Sequence, residues 1–444
     1  MMQSFDQIVI GGGPGGLALA YGLKAAGKNV AIVEENLWGG TCPNRGCDPK
    51  KILVAAVEAK RHAEQLAHAG LDGTTTINWP DLMRNKFAYT DAIPDDTLQG
   101  LQHSEITTFY GHAAFTSAGH LAVGEETLTA AQFILATGQR PVRPAIDGAQ
   151  LLQTSTDFLN WRQLPKQIAF IGGGYIAFEL ADIANAAGAD VHVILRHDRA
   201  LRAFDAELVK DLRDQLAKAG VHFHENVTLT KVAKTSTGIE LTGDQQFDLT
   251  VAAAVAATGR IANVDTLNLE AVGVSADRHG VVVNDHLQTT NEHIYALGDV
   301  VAKKSIPKLT PVAGFEARYL TDTLTGAHSE AIQYPAIPTV VFGMPRLAQV
   351  GVSPAETTTT TDRRVKALDM THWYTYQRIH DPLAKVKVVL DRQGRLVGAS
   401  ALSTIADELI NYLTALINQG ATVADVNNQI MAYPTPASDL SYLF

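Results

Sequence analysis

Cysteine is nearly absent from this chain: 444 residues hold two, Cys42 and Cys47. Secreted domains stapled by disulfides spread more cysteines along their length, so that class does not fit. A zinc site needs further ligands, and no histidine lies close to the pair in sequence, which favours redox chemistry over a metal site. Positive charge is also in short supply. With 36 Lys and Arg against 46 Asp and Glu, the formal net charge is −10. A chain of that sign repels phosphate backbones, so nucleic acid is not an expected partner. No apolar run reaches about 18 residues, the length a membrane span requires. A basic leader and a small-residue cleavage site are missing too. The first apolar stretch, Ile8 to Ile10, runs into glycines and reads as a strand, so the expected location is the cytoplasm.

What is present is an ordinary globular balance, 46% hydrophobic and 18% charged. The length predicts two to four domains. Glycine clusters carry the first specific signal. Strand-like Gln7–Val9 leads through Ile10 into Gly11-Gly12-Gly13-Pro14-Gly15-Gly16, then helix-compatible Leu17–Ala26, then strand Val30–Val33 ending at Glu34. This is the strand, GxGxxG, helix, strand, acid order of a dinucleotide fold. Gly11 serves the tight turn, Gly13 the approach of a pyrophosphate and Gly16 the packing of helix on strand. The helix N-terminus faces the phosphates, and Glu34 is placed to accept from a ribose hydroxyl.

The pattern recurs at Ile168–Ile171, Gly172-Gly173-Gly174-Tyr175-Ile176-Ala177, a helix through Ala187 and strand Val191–Leu195. Here the strand ends in Arg196 rather than an acid, with His197, Arg199 and Arg202 following. A carboxylate would repel a 2′-phosphate, whereas a guanidinium clamps it, so the second fold is expected to take NADPH. Two such folds imply two dinucleotides, one delivering hydride and one a bound flavin.

Between the folds' motifs lies Gly39-Gly40-Thr41-Cys42-Pro43-Asn44-Arg45-Gly46-Cys47-Asp48-Pro49-Lys50-Lys51, followed by helix-like Ile52–Val57. A helix N-terminus and nearby lysines favour a thiolate, while Asp48 works against one. This segment resembles the Gly-Gly-Thr-Cys-x4-Cys-x-Pro-Lys signature of the class I flavoprotein disulfide reductases, the pyridine nucleotide-disulfide oxidoreductases. That family includes glutathione reductase, dihydrolipoamide dehydrogenase and mercuric reductase. The resemblance runs along essentially the whole chain. Ala136-Thr137-Gly138 and Ala257-Thr258-Gly259-Arg260 are similar to the family's strand-end motifs. Tyr295-Ala296-Leu297-Gly298-Asp299 is similar to its second FAD motif, Leu309-Thr310-Pro311-Val312-Ala313 to the helix start beside the flavin, and Ile337–Gly351 to the opening strand of its dimerisation domain.

The resemblance implies an α/β fold with two Rossmann-like domains, for FAD and NADPH, and a C-terminal α+β dimerisation domain that makes a homodimer. The expected boundaries are 1–141 and 263–328 for the FAD domain, 142–262 for the NADPH domain and 329–444 for the dimerisation domain. It assigns FAD contacts to Gly11, Gly13, Gly16, Glu34, Thr41, Lys50, Thr137, Gly138, Asp299 and Thr310. NADPH contacts fall on Gly172, Gly174, Tyr175, Ala177, Arg196, His197, Arg202 and Gly259, with Tyr175 gating the flavin face. Cys47 matches the thiol next to the flavin, Cys42 the outer thiol that attacks substrate, and Lys50 with Glu179 an ion pair beside the flavin ring. The implied activity is NADPH-driven reduction of a small disulfide such as glutathione disulfide through a Cys42–Cys47 redox disulfide.

The family's C-terminal His-Pro-x-x-x-Glu is missing. Tyr433 stands in the histidine's place, followed by Pro434, and Ser438 stands where the glutamate belongs. A phenol is a poor base at neutral pH but still donates a proton or hydrogen bond. Mercuric reductases resemble the chain in that tyrosine, yet they carry a further cysteine pair that this chain lacks. Pro14 and Tyr21 stand where glutathione reductases have a serine and an arginine, and Arg318 matches a substrate-carboxylate arginine. A second reading therefore keeps the flavin and thiols but reduces metal ions, quinones or oxygen, and a third is a redox-responsive flavoprotein. His62, His68, His372 and His380 read as surface or packing residues. Tyr334–Pro338 reads as a linker, Val386–Leu390 and Leu396–Ala399 as a hairpin, Thr404–Leu416 as an interface helix and Thr357–Thr361 as a loop or edge strand without chemistry.

Overall fold

The computed structural model describes residues 3–117, 120–303, 305–356 and 362–444; the threonine run 357–361 lies outside them. The chain divides into two compact units. The first holds residues 1–50, 85–142 and 260–333, the second 51–84, 143–259 and 334–444.

In the first unit, β1 (Gln3–Ile10), α1 (Pro14–Ala25) and β2 (Val30–Glu34) follow the expected order. The first strand starts earlier than Gln7 because its polar residues pair with β6 (Glu126–Leu135) from Gln3↔Leu128 onward. Along the chain follow α2 (Thr41–Arg45), then α3 (Cys47–Gln65) and α4 (Trp79–Thr90), the latter two with only residues 47–50 and 85–90 in this unit, then α5 (Ile93–His103), β3 (Thr107–Tyr110), β4 (Ala113–Ser117) and β5 (His120–Val123). The sheet runs β3-β2-β1-β6-β5-β4, with Ile294–Ala296 parallel to β6. Strands β1, β2, β3 and β6 are parallel, and β4 and β5 form an antiparallel extension. Apolar side chains such as Ile8, Ile10, Val33, Phe133 and Leu135 build one core on this sheet. Strand order reverses between β1 and β6, and the glycine turn sits there, at the edge where open α/β sheets bind ligands.

The second unit repeats the plan. Gln167–Ile171 lies between parallel strands Asp190–Ile194 and Ala253–Ala256, with Val221–His224 outside and helix Tyr175–Ala186 behind the glycine turn. The central strand is a continuous apolar run, Ile168, Ala169, Phe170 and Ile171 all buried, as a parallel sheet covered on both faces requires. The C-terminal part is a five-stranded antiparallel sheet covered by helix Ala406–Gln419. The expected hairpin forms, Lys385–Leu390 against Leu396–Ser403, with Asp391 Oδ1 accepting from Gln393 N and Arg395 N in its turn. The stretch Ile337–Gly351 is not one strand but two, Thr339–Val341 and Arg346–Gly351, paired antiparallel. The break has a physical cause: Pro345 has no amide hydrogen for a ladder, and helix Tyr175–Ala186 claims the turn. Glu179 Oε1 accepts from Phe342 N at 2.7 Å and Asp182 Oδ2 from Met344 N at 2.9 Å.

Candidate redox and dinucleotide sites

The glycine turn of the first unit is closed by backbone against backbone. Gly11 has φ +116°, and a Cβ there would lie 2.3 Å from Ala136 O. A Cβ on Gly16 would lie 2.0 Å from Gly11 O, so α1 docks on the turn only because both positions are glycine. Glu34 ends β2 and is buried. Its Oε2 accepts from Gly12 N at 2.8 Å, and its Oε1 from Asn36 N at 2.8 Å and Glu35 N at 3.0 Å. Burial pushes its pKa up against those hydrogen bonds and the Arg45 charge. A carboxylate has about four lone-pair directions, so one remains for a ribose hydroxyl. Asp299 follows the strand Ile294–Ala296; burial pushes its pKa up, while Arg260 and Lys308 draw it down. Thr137 and Asn263 exchange hydrogen bonds across this edge, Thr137 Oγ1 to Asn263 O at 2.7 Å and Asn263 Nδ2 to Thr137 O at 2.8 Å. Gly138 beside them takes φ +65°. These donors, acceptors and close backbone approaches fit a flavin dinucleotide.

The second turn is built the same way, with Gly172 at φ +134° against Ala257 O. A Cβ on Gly174 would meet nothing within 4 Å, so this position opens onto solvent at the N-terminus of the Tyr175–Ala186 helix, where the helix dipole favours an anion. Ala177 is buried in that helix, and Tyr175 is 40% exposed at its first turn. The loop after strand Asp190–Ile194 folds back onto the glycines: Leu201 N donates to Gly173 O at 2.8 Å. Arg199 turns onto the carbonyls of Arg202 and Phe204 and shapes this loop, while Arg196, His197 and Arg202 stay exposed beside the turn. Gly259 has φ +120° at the end of this unit's nucleotide fold.

The dithiol lies in the first unit. Gly39 and Gly40 turn the chain after Trp38, and Asn44 locks that turn by donating to Trp38 O and Gly40 O, both at 2.9 Å. Thr41 opens α2, which carries Cys42. The next helix starts five residues earlier than its apolar stretch indicated, at Cys47, and runs 19 residues to Gln65. Cys47 Sγ lies 3.8 Å from Thr310 Oγ1, and Thr310 is itself the first residue of a 15-residue helix. Two helix N-termini thus face one sulfur, an arrangement that favours negative charge there. Both cysteines are free thiols, each half-buried. The Cys42 thiol hydrogen-bonds to Cys47; that bond first, then burial, pushes its pKa strongly up, and the Asp48 charge adds to the effect.

Comparison with known protein families agrees with this geometry. The family described as "Pyridine nucleotide-disulphide oxidoreductase" matches residues 5–317, and the dimerisation domain of the same family matches residues 337–442. The chain belongs to the pyridine nucleotide-disulphide oxidoreductases. It is 34% identical to a glutathione reductase of Burkholderia cepacia over 98% of this chain and 97% of that one. It is 30% identical to a glutathione reductase of Nostoc sp. over 99% of both. Among solved structures, the HOCl-induced flavoprotein disulfide reductase RclA from Escherichia coli superposes with a TM-score of 0.89 at 25% identity, covering 99% of both chains. A Cu(II) complex of the same protein gives 0.90 at 25% identity, covering 100% of this chain and 99% of that one. This is a flavoprotein oxidoreductase family, and the chain carries its dimerisation domain.

The other expected residues take these places. Lys50 closes the first unit on α3. Glu179 is fully buried in the second unit. Tyr433 is 69% exposed and stacks on Tyr374, centroids 6.0 Å apart. Arg318 and Tyr21 are both exposed. His68, His372 and His380 are exposed and His62 is half-buried. Three residues escaped the sequence reading. Asn44 lies inside the motif and had a signal, since a buried amide in a tight turn needs partners. Arg45 is half-buried, its pKa drawn down by burial and up by Glu34. Tyr89 carried no signal at all: its hydroxyl donates to Asp48 Oδ2 at 3.1 Å from 41 residues away. Among the described residues, no helix is long and apolar enough to cross a membrane, and no cluster of His, Cys, Asp or Glu is arranged to hold a metal.

Proposed function

We propose that this protein is an NADPH-dependent flavoprotein reductase of small disulfides, working through Cys42 and Cys47. The observation that carries the reading is the hydrogen-bonded thiol pair with Cys47 at two helix N-termini. FAD would be held by Gly11, Gly13, Gly16, Glu34, Thr41, Lys50, Thr137, Gly138, Asp299 and Thr310. NADPH would be held by Gly172, Gly174, Tyr175, Ala177, Gly259 and the cations Arg196, His197 and Arg202. The FAD domain then spans 1–141 and 263–328, the NADPH domain 142–262 and the dimerisation domain 329–444. Lys50, Glu179 and Tyr175 keep the roles that the resemblance gives them, and Tyr433 stands in the place of the family's acid/base histidine.

Bound FAD, reduced by NADPH, supplies the two electrons that open the Cys42–Cys47 disulfide. The chain's own residues do the rest. Cys47 holds the thiolate under the two helix dipoles and the Thr310 hydroxyl. The Cys42 sulfur, once deprotonated, attacks one sulfur of the acceptor disulfide, forming a mixed disulfide and releasing one thiolate. Cys47 then attacks the Cys42 sulfur, expels the second thiolate and restores the internal disulfide. The balance is one disulfide, one NADPH and one proton giving two thiols and NADP⁺. The reading places the enzyme in the reducing cytoplasm as a homodimer. The exposed aromatics Tyr374, Tyr433 and Tyr442 and the fully exposed Ile430, all in the C-terminal part, support a covered face there.

A second acceptor class is favoured by one observation. Tyr433 replaces the histidine that handles the leaving thiol's proton, and a missing acid/base costs about a hundred- to ten-thousand-fold. A metal ion takes up electrons without a proton, and a quinone takes its two protons from solvent rather than through a leaving thiol; a related reductase has been captured with Cu(II). Anaerobic NADPH titration followed by steady-state assays with glutathione disulfide, other disulfides, Cu(II) and quinones separates the two. Turnover of disulfides that disappears in Cys42→Ser supports the first reading. Flavin bleaching without disulfide turnover, but with fast metal or quinone reduction, replaces it with the second.

A further inference from the structure

Asp48 touches the thiol that attacks the acceptor. Cys42 Sγ donates to its Oδ1 at 3.9 Å, and Tyr89 OH donates to its Oδ2 at 3.1 Å. The carboxylate is therefore a bridge between a thiol on α2 and a phenol at the end of α4. An acid in the first turn of a helix is ordinary by itself, because it complements the dipole. This one is different in being aimed at a sulfur and pinned by a side chain from another helix. The phenol is a lasting donor: burial first, then the bond to Asp48, pushes the Tyr89 pKa up.

The other groups facing Cys42 are the Cys47 thiol and the Thr310 hydroxyl. The cation that α2 itself carries, Arg45, is half-buried and directs its charge to Glu34. Helix α5, packed against α2, brings two more acids, Asp95 and Asp96, in its first turn. A formal negative charge thus lies in contact with the attacking sulfur. It acts twice: it opposes ionisation of Cys42, and it repels an incoming anion at the same atom.

We propose that Asp48, pinned by Tyr89, selects the acceptor by charge, disfavouring anionic disulfides and favouring neutral or cationic ones at Cys42. The proposal rests on the disulfide-reductase reading above and names the substrate class for it. The exchange step is unchanged: Cys42 forms a bond to one acceptor sulfur, the acceptor's S–S bond breaks, and the leaving sulfur takes the electron pair.

Two alkylating reagents isolate the charge effect. Iodoacetamide is neutral and iodoacetate is an anion; both need only the thiolate. The flavin-loaded enzyme is reduced with dithiothreitol, and modification of the Cys42 peptide is followed by mass spectrometry. In Asp48→Asn both reagents react faster, because the thiol ionises more readily. Iodoacetate gains about three- to tenfold more than iodoacetamide, the size expected for a unit charge at this distance in a water-like dielectric. Tyr89→Phe moves the ratio the same way by less, and Asp48→Glu restores it. In turnover, Asp48→Asn raises kcat/KM for glutathione disulfide, a net anion, relative to cystamine, a net cation. An unmoved iodoacetate to iodoacetamide ratio in Asp48→Asn overturns the proposal. Absence of turnover with any disulfide sinks the functional reading instead, while the alkylation ratio still decides the role of Asp48.

Discussion

The exposed arginines behind the second glycine turn make a quantitative prediction. Arg196 and Arg202 stand on a loop latched to Gly173 O by Leu201 N at 2.8 Å, and both side chains are exposed. Because they are exposed, their attraction to a 2′-phosphate is screened: about 1 kcal/mol per unit charge at 4 Å in water. The phosphate carries roughly −1.5 to −2, so each guanidinium is worth about 1–2 kcal/mol. Replacing both, Arg196→Ala with Arg202→Ala, removes about 2–4 kcal/mol, which is roughly a 30- to 1,000-fold loss in kcat/KM for NADPH. NADH lacks the phosphate and is expected to keep its kcat/KM within about threefold. The assay is steady-state oxidation of each coenzyme at fixed acceptor, repeated at low and high salt, with the NADPH advantage shrinking as salt rises. Arg199→Ala is the control. Its guanidinium holds the carbonyls of Arg202 and Phe204, so it disturbs the loop and weakens NADPH binding with a smaller salt dependence. Equal losses for NADPH and NADH in the double variant would refute the reasoning, because the loop would then act on the shared part of the coenzyme.

Three further outcomes are expected. Gly16→Ala brings a Cβ to 2.0 Å from Gly11 O, a clash of backbone against side chain that only displacement of α1 relieves; the purified protein should show a raised 280-to-450 nm absorbance ratio from lost flavin and a stability lower by about 1–3 kcal/mol. Tyr433→His supplies the acid/base group that the chain lacks, and disulfide turnover should rise at least about tenfold with a new pH dependence near neutrality; an unchanged rate would show that position 433 does not serve the leaving thiol. Asp182 is buried, and burial, opposed by Arg61, raises its pKa to about 6 from 3.8. Its folded form binds a proton that the unfolded chain releases, so stability falls as pH rises from about 4 to about 6 and the full cost, about 3 kcal/mol, is present above that window. Asp182→Asn should therefore melt higher than the parent at pH 7.5 and lose that advantage toward pH 5, as followed by thermal unfolding.

The nucleotide folds were legible because their information is local. Gly11, Gly16 and Glu34 sit within one strand–turn–helix–strand stretch, and Gly16 packs on Gly11 O five residues earlier, although the wall that Gly11 itself meets, Ala136 O, lies at the end of a distant strand. Gly172, Gly174 and Arg196 likewise fall within one such stretch. The Gly-Gly-Thr-Cys segment likewise announced a dithiol, and a tyrosine at 433 announced a departure from the family. The opening of the C-terminal sheet was less legible: one long strand was expected, but the turn at Phe342–Pro345 is set by acceptors on a helix more than 160 residues earlier.

Sequence by itself determined that two dinucleotide folds and a close thiol pair are present, since each depends on residue types at short fixed spacing. Tertiary structure alone decided which groups surround the two sulfurs. Cys47 faces Thr310, which lies 263 residues away, and Asp48 is turned onto Cys42 by Tyr89, which lies 41 residues from it. A thiol's ionisation answers to the field of every group within a few ångströms, and no spacing along the chain reveals which distant groups those are.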